Sequence, residues 1–335
     1  MKKIIIFFIS FVLILCNSKL DLLIFKQFQK FLNKFNKKYS SINEYLFRYQ
    51  IFKNNVISIF NSEKYSFIKG ITQFSDLTKQ EFSKTYLNLN YDAMAVENVN
   101  PYLVNNIHLA PSSYDFRNTY LLGEPQDQGN CGSSWAFSTL GNLQAYYARH
   151  IGKFEYLSKQ MLIDCDTSDS GCNGGLMEYA FTWLRKNGIM LESDYPYTGV
   201  KSTCKSDSSK YIDMKVTGYL KFGSSSSTFY PVDEEEMKEF LYENGPLGVA
   251  MNGIPLASYI SGIIDLPSSE CPSTGINVSL LLVGYGVDST SGIPYWIVQN
   301  SWGETWGESG YFRIKRGSGT CGINYYVITA KVSYN

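Results

Sequence analysis

Six cysteines, at positions 131, 165, 172, 204, 271 and 321, constrain this chain more than any other feature. A seventh, Cys16, closes an apolar N-terminal stretch. Lys2 and Lys3 precede that stretch, Ile4 to Leu15 is almost unbroken in apolar residues, and Cys16, Asn17 and Ser18 follow. A basic start, a short apolar run and small or polar residues after it have the form of a secretory signal peptide. A spanning helix needs about 20 apolar residues, so the run is short for a membrane anchor. The expected product loses residues 1–18, follows the secretory pathway to the extracellular space or a lysosome-like vacuole, and has no membrane attachment after signal removal. That route permits disulfides. Cys16 leaves with the signal. The remaining even set reads as three disulfides and no free thiol, with 15 connectivities open.

Charge excludes other classes of partner. Lys plus Arg and Asp plus Glu are 30 each, so no net field draws the chain to nucleic acid or acidic lipid. With two histidines and no spare cysteine, no metal site is expected, and no cofactor motif is present.

Texture divides the chain after the signal. Residues 20–90 contain no cysteine, and Phe25, Phe28, Phe31, Leu32 and Phe35 recur at helical spacing. A second helical stripe holds Tyr45, Tyr49, Phe52, Val56, Ile59 and Phe60. Glu44 and Arg48 stand four apart, in the favourable order for an ion pair on one helix face. Asn88 to Ser113, with Pro101 and Pro111, reads as a linker open to a processing protease. From Tyr114 onward Trp, Gly and Cys become frequent. Ser134–Tyr147 reads as a buried helix. Leu247–Met251, Leu280–Tyr285, Tyr295–Val298, Tyr311–Ile314 and Tyr326–Val332 read as strands, and Ser224–Thr228 reads as a loop. Helices first and strands later predict an α+β fold of two packed lobes.

The segment Gln128-Gly129-Asn130-Cys131-Gly132-Ser133-Ser134-Trp135-Ala136-Phe137-Ser138 resembles the active-site segment of papain-like, and best of cathepsin L-like, cysteine proteases. Gly171-Cys172-Asn173-Gly174-Gly175 resembles that family's cleft loop. Tyr295 to Gly303, Trp306-Gly307 and Gly310-Tyr311 resemble its asparagine motif. Upstream, Glu44, Arg48, Phe52, Asn55 and Ile59 fall at the spacing of the family's interspersed prodomain helix motif, whose last position holds Glu63 rather than Asn. Gly70, Thr72, Phe74 and Asp76 resemble its second prodomain motif, with Thr for Asn. The resemblance covers nearly all the chain after the signal. It implies a papain-like two-lobed fold, a helical lobe plus an antiparallel β-barrel-like lobe, behind a helical inhibitory prodomain. The expected division is 1–18 signal peptide, 19–109 prodomain and 110–335 peptidase domain. It also implies the pairing Cys131–Cys172, Cys165–Cys204 and Cys271–Cys321.

The resemblance implies roles for individual residues, and two of them are replaced. The nucleophile position holds Ser134 where the family has cysteine. The general-base position, before Val283-Gly284-Tyr285-Gly286, holds Val278 where the family has histidine. Gln128 keeps the oxyanion amide and Asn300 the amide that orients the base, with Trp302 shielding Asn300. Gly174 and Gly175 let a peptide backbone approach closely, and Leu176, Met177, Ser279 and Tyr326 are candidates for the specificity pocket. A serine hydroxyl is a useful nucleophile only beside a positioned base. No histidine follows position 150. His108 falls in the linker, and His150 lies about 24 Å along the helix from Ser134. Asn277-Val278-Ser279 is a glycosylation sequon, making Asn277 a candidate site; a strand start that stays unmodified is the competing expectation. The expected function is a zymogen-like, catalytically inactive homologue that binds a peptide or protein ligand in its cleft and is processed by another protease. Two alternatives stand beside it: a weak endopeptidase using Ser134, and a prodomain that inhibits related cysteine proteases.

Overall fold

A computed structural model describes residues 19–62, 65–89, 110–222 and 231–334, and the backbone of 224–225 and 228–229. The signal sequence, Glu63, Pro101 and His108 lie outside the described residues. Among the described residues, no helix is long and apolar enough to cross a membrane.

The pro-region opens with helices α1 (Lys19–Lys34) and α2 (Ile42–Phe60). Their helical stripes meet: Phe28 is fully buried, with its ring 5.1 Å from Phe52, 5.2 Å from Tyr49 and 5.4 Å from Tyr45. Phe60, expected on the same stripe, is instead 72% exposed. The expected Glu44–Arg48 ion pair is also absent. Glu44 instead accepts from the backbone N–H and hydroxyl of Ser40, while Arg48 reaches Glu81 at 2.8 Å and the carbonyl of Asp76 at 3.2 Å. A carboxylate in the first turn of a helix finds unpaired N–H groups nearby, and these outcompete an exposed ion pair. Asn55 donates to the carbonyls of Ser75 and Leu77, and Asp76 accepts from Lys37 and Tyr39. The spaced motif residues therefore tie α2 to the turn before α3 (Lys79–Tyr86). Thr78 and Glu81 close a capping box at the start of α3. Strand β1 (Phe67–Lys69) pairs with the main-domain strand Tyr259–Ile264.

The helical lobe is built on α4 (Ser134–Ile151), α5 (Lys159–Cys165) and α6 (Met177–Asn187). Helix α4 continues four residues beyond the predicted Tyr147, to Gly152, whose φ of 75° suits glycine and ends the helix. The other lobe is a nine-stranded sheet. Besides β1 it contains β2 (Tyr114–Asp115), β3 (Lys215–Phe222), β6 (Leu247–Met251), β7 (Tyr259–Ile264), β8 (Val278–Val287), β9 (Pro294–Gln299), β10 (Tyr311–Lys315) and β11 (Tyr326–Ser333). The order is β1-β7-β10-β9-β8-β6-β11-β3, with β2 on β8. Its pairs are antiparallel except β7 with β10. Ser224–Ser225 (β4) and Thr228–Phe229 (β5) pair as a small hairpin where the sequence predicts a loop. Helix α7 (Glu234–Asn244) packs on the sheet. The three disulfides join 131 to 172, 165 to 204 and 271 to 321, as the resemblance implies. Each closes a loop of about 40–50 residues and restricts the unfolded chain, worth about 2–4 kcal/mol apiece.

Candidate active-site cleft

Helix α4 begins where the lobes meet. The Trp135 indole donates to the Gly171 carbonyl at 3.1 Å, which fixes the helix start to the Gly171–Gly175 loop. Ser138 donates to the Leu280 carbonyl at 2.5 Å, which fixes the next turn to β8. These two bonds place Ser134, the first helical residue, beside the start of β8. Its hydroxyl oxygen accepts from the Ser279 backbone N–H at 3.4 Å. Gln128 is fully buried. It donates one amide N–H to the Cys131 carbonyl at 2.9 Å, and its carbonyl accepts from Ser301 at 2.5 Å.

Val278 opens β8 opposite Met251 and is fully buried. A Cβ added at Gly253 would lie 2.7 Å from Cγ1 of Val278 and 2.7 Å from Cδ2 of Leu87, so the pro-region leucine and the valine meet there. Asn300 follows β9. Its side-chain carbonyl accepts from the Ser301 N–H at 2.8 Å, and its Nδ2 has no partner among the described residues. The one histidine among the described residues, His150, stacks on Tyr334 at 4.0 Å at the far end of α4. No ionisable base faces Ser134 in the described contacts.

Three groups at or near the cleft escaped sequence reasoning. The first is the occupant, Leu87-Asn88-Leu89. The sequence reading assigned Asn88 and Leu89 to a linker, because the prolines beyond them dominate that stretch. In the structure the Leu89 N–H donates to the Asn277 carbonyl at 3.0 Å, and both leucines are buried. Asn88 lies against Gly132 and Gly174: a Cβ would come within 2.0 Å of its amide nitrogen at Gly132 and 2.1 Å of its carbonyl oxygen at Gly174. The alternation Leu87, Leu89 is the period-two signal that could have found this segment. Trp302 seats the helix before it, with its ring 4.8 Å from Phe74 and 5.6 Å from Phe82.

The second is Lys159, buried in α5 and bonded to Gln144 and Glu192 at 3.0 Å each; burial pulls its ammonium down to about 8. With Ser279 and Asn300 it lines a cavity of about 40 Å³ between the lobes, which Ser134 does not line. The third is the carboxyl pair Asp166 and Asp169 beneath the cleft loop. Asp169 accepts from the Leu176 N–H at 2.8 Å, and burial followed by the Asp166 charge pushes its carboxyl up to about 8. An acid whose native pKa is raised stabilises the fold below its unfolded pKa and loses that contribution as pH rises through the native value. Asp169→Asn, which keeps the acceptor and removes the charge, should therefore gain in melting temperature on the parent as pH rises from about 4 to about 8. Parallel melting curves across that range are the check, and a constant difference would refute it.

Among the pocket candidates, Leu176, Met177, Ser279 and Tyr326 are all buried. Tyr326 donates its hydroxyl to Glu178, which also accepts from Lys221 at 3.1 Å. Leu89 shares an apolar cluster with Tyr326, Leu176, Ala250 and Ile276. The Asn277 side-chain carbonyl accepts from the Gly253 N–H at 2.8 Å, which holds a turn and fixes how the amide lies just before β8. Protein made in a glycosylating host should carry no glycan there, and its mass should not change with N-glycosidase.

Comparison with known proteins identifies the family. Residues 110–331 match the papain family cysteine protease model, and residues 28–82 match the cathepsin propeptide inhibitor domain. The chain is 37% identical over 323 residues to a probable cysteine protease, RD19B, of Arabidopsis thaliana, covering 90% of this chain and 85% of that one. It is 36% identical over 315 residues to the viral cathepsin of Heliothis zea nuclear polyhedrosis virus, covering 88% and 82%. The structure of digestive procathepsin L 3 from Tenebrio molitor larval midgut superposes with a TM-score of 0.80 at 34% identity, covering 92% of this chain and 99% of that one. The chain belongs to the papain family of cysteine proteases. It has the family's two-lobed α+β fold and carries a propeptide in zymogen-like form.

Proposed function

We propose that this family member is non-catalytic and works by holding a peptide or protein in its cleft. One observation carries the reading: the general-base position is occupied by Val278, fully buried and packed on Gly253 and Leu87. Ser134 is then an alcohol without a base, and its helix N-terminus cannot bring a hydroxyl into the range where it ionises. With valine at 278, Asn300 has no imidazole to orient, and its side-chain carbonyl accepts from the Ser301 N–H. The oxyanion and cleft residues, Gln128, Gly174 and Gly175, would serve binding alone.

The proposed arrangement is a signal at 1–18, a prodomain at 19–109 and a papain-like domain at 110–335. The product is delivered outside the cell or to a lysosome-like vacuole, and any cut between the two parts is made by another protease. The deciding experiment restores both replaced groups and measures peptide turnover. A second reading, in which the prodomain inhibits related cysteine proteases, is favoured by the match of residues 28–82 to an inhibitor domain.

A further inference from the structure

Gly253 is a glycine without a backbone reason. Its φ of −86° and ψ of 2° lie in the negative-φ turn region that non-glycine residues also adopt, so what it supplies is space. That space is filled from two sides, by Cγ1 of Val278 and Cδ2 of Leu87. Asn277 holds the turn in place through the Gly253 N–H, and its own carbonyl accepts from the Leu89 N–H. One short stretch, residues 277–278 with Gly253, thus grips both the backbone and a side chain of the segment in the cleft. Leu87 belongs to one apolar cluster with Val278, Met251 and Leu256, whereas Leu89 belongs to a second one with Leu176 and Tyr326. Two leucines one residue apart therefore anchor in different apolar clusters, and the polar Asn88 between them lies against two glycines.

We propose that Val278 is a specificity residue: together with Gly253 it forms an apolar subsite, and the cleft selects extended segments of the pattern apolar–polar–apolar, of which Leu87-Asn88-Leu89 is the resident example. The proposal rests on the non-catalytic peptide-binding reading. An imidazole at 278 would place a polar group that needs a hydrogen-bond partner against the leucine methyl. Valine removes that need and turns the place of the missing base into contact area for a ligand.

The subsite is read first in the full chain. Val278→Thr keeps the shape and adds a hydroxyl, and Gly253→Ala fills the space. Each should speed amide exchange at Leu87–Leu89 about tenfold or more while leaving exchange in α1 and α2 unchanged. Unchanged exchange at Leu87–Leu89 in both variants would overturn the subsite. The second arm uses full-length Leu87→Asp/Leu89→Asp, in which the resident segment is expected to leave, and a labelled peptide of sequence Lys-Thr-Tyr-Leu-Asn-Leu. That peptide should bind the freed cleft, and adding Val278→Thr or Gly253→Ala should weaken it about tenfold. Binding that these two changes leave within about twofold would overturn the subsite and leave the peptide-binding reading standing. A freed, folded cleft that takes no peptide would overturn both.

Discussion

The double variant Ser134→Cys/Val278→His is expected to hydrolyse extended fluorogenic peptides about 10²–10⁴-fold faster than either single variant. Ser134→Cys alone provides a thiol at a helix N-terminus but nothing to take its proton or return it to the leaving amine. Val278→His alone provides the base but leaves an alcohol whose activation needs a full triad geometry. Members of such a unit act together, so the two single changes should give little and the pair much. Initial rates, measured after the pro-region has been detached by a protease that is then removed, are the readout; loss of the rate on thiol alkylation ties it to position 134. A folded but inactive double variant would mean that Gln128 and Asn300 no longer stand where catalysis needs them. Turnover by the unmodified protein that vanishes in Ser134→Ala would overturn the non-catalytic reading.

The largest stability effect is expected at Phe28→Ala, which should cost about 3–5 kcal/mol. The pro-region has a small core of its own, with Ile24, Phe28, Phe31, Phe52 and Val56 buried, and Phe28 touches aromatic rings on both helices. Removing a fully buried ring from so few residues leaves α1 and α2 without the contact that holds them together. Release should spread to the cleft, because Arg48 and Asn55 anchor the turn before α3, and α3 leads directly into Leu87. Amide exchange should therefore rise in α1, in α2 and at Leu87–Leu89, while the disulfide-linked domain keeps its melting transition. Phe60→Ala, at an exposed ring on the same helix, should stay within about 0.5 kcal/mol of the parent. Equal effects at 28 and 60 would show that the pro-region owes its fold to the domain beneath it.

Much of the cleft was legible because it is written in local segments. Gln128 to Ser138 contains a buried glutamine, a disulfide cysteine and the start of a buried helix within eleven consecutive positions. The strand at Leu247–Met251 has the same bounds in sequence reading and structure, since four apolar residues around one glycine, set between Pro246 and Asn252-Gly253, leave little choice. Errors gathered where partners are distant. Arg48 pairs with Glu81 rather than Glu44, because helical spacing names neighbours on one helix and is silent about a competing turn 33 residues away. Lys159 gives no sign in sequence that it is buried; only the approach of Gln144 and Glu192 makes its place tolerable. Asp166 and Asp169 look like ordinary loop acids until the cleft loop folds over them.

By itself the sequence determined the class of fold, the even set of cysteines, and the absence of a histidine anywhere after position 150. These are statements about which atoms exist, and no folding can supply an imidazole that the chain lacks. What the tertiary structure alone decided is what surrounds positions 278 and 300 and which segment lies in the cleft. The Asn300 side-chain carbonyl accepts from the Ser301 N–H, Val278 meets Leu87 over Gly253, and Leu89 joins a second apolar cluster. Those outcomes depend on residues far apart in the chain competing for the same small volume and the same hydrogen-bonding groups, and that competition is resolved only when the lobes and the pro-region pack together.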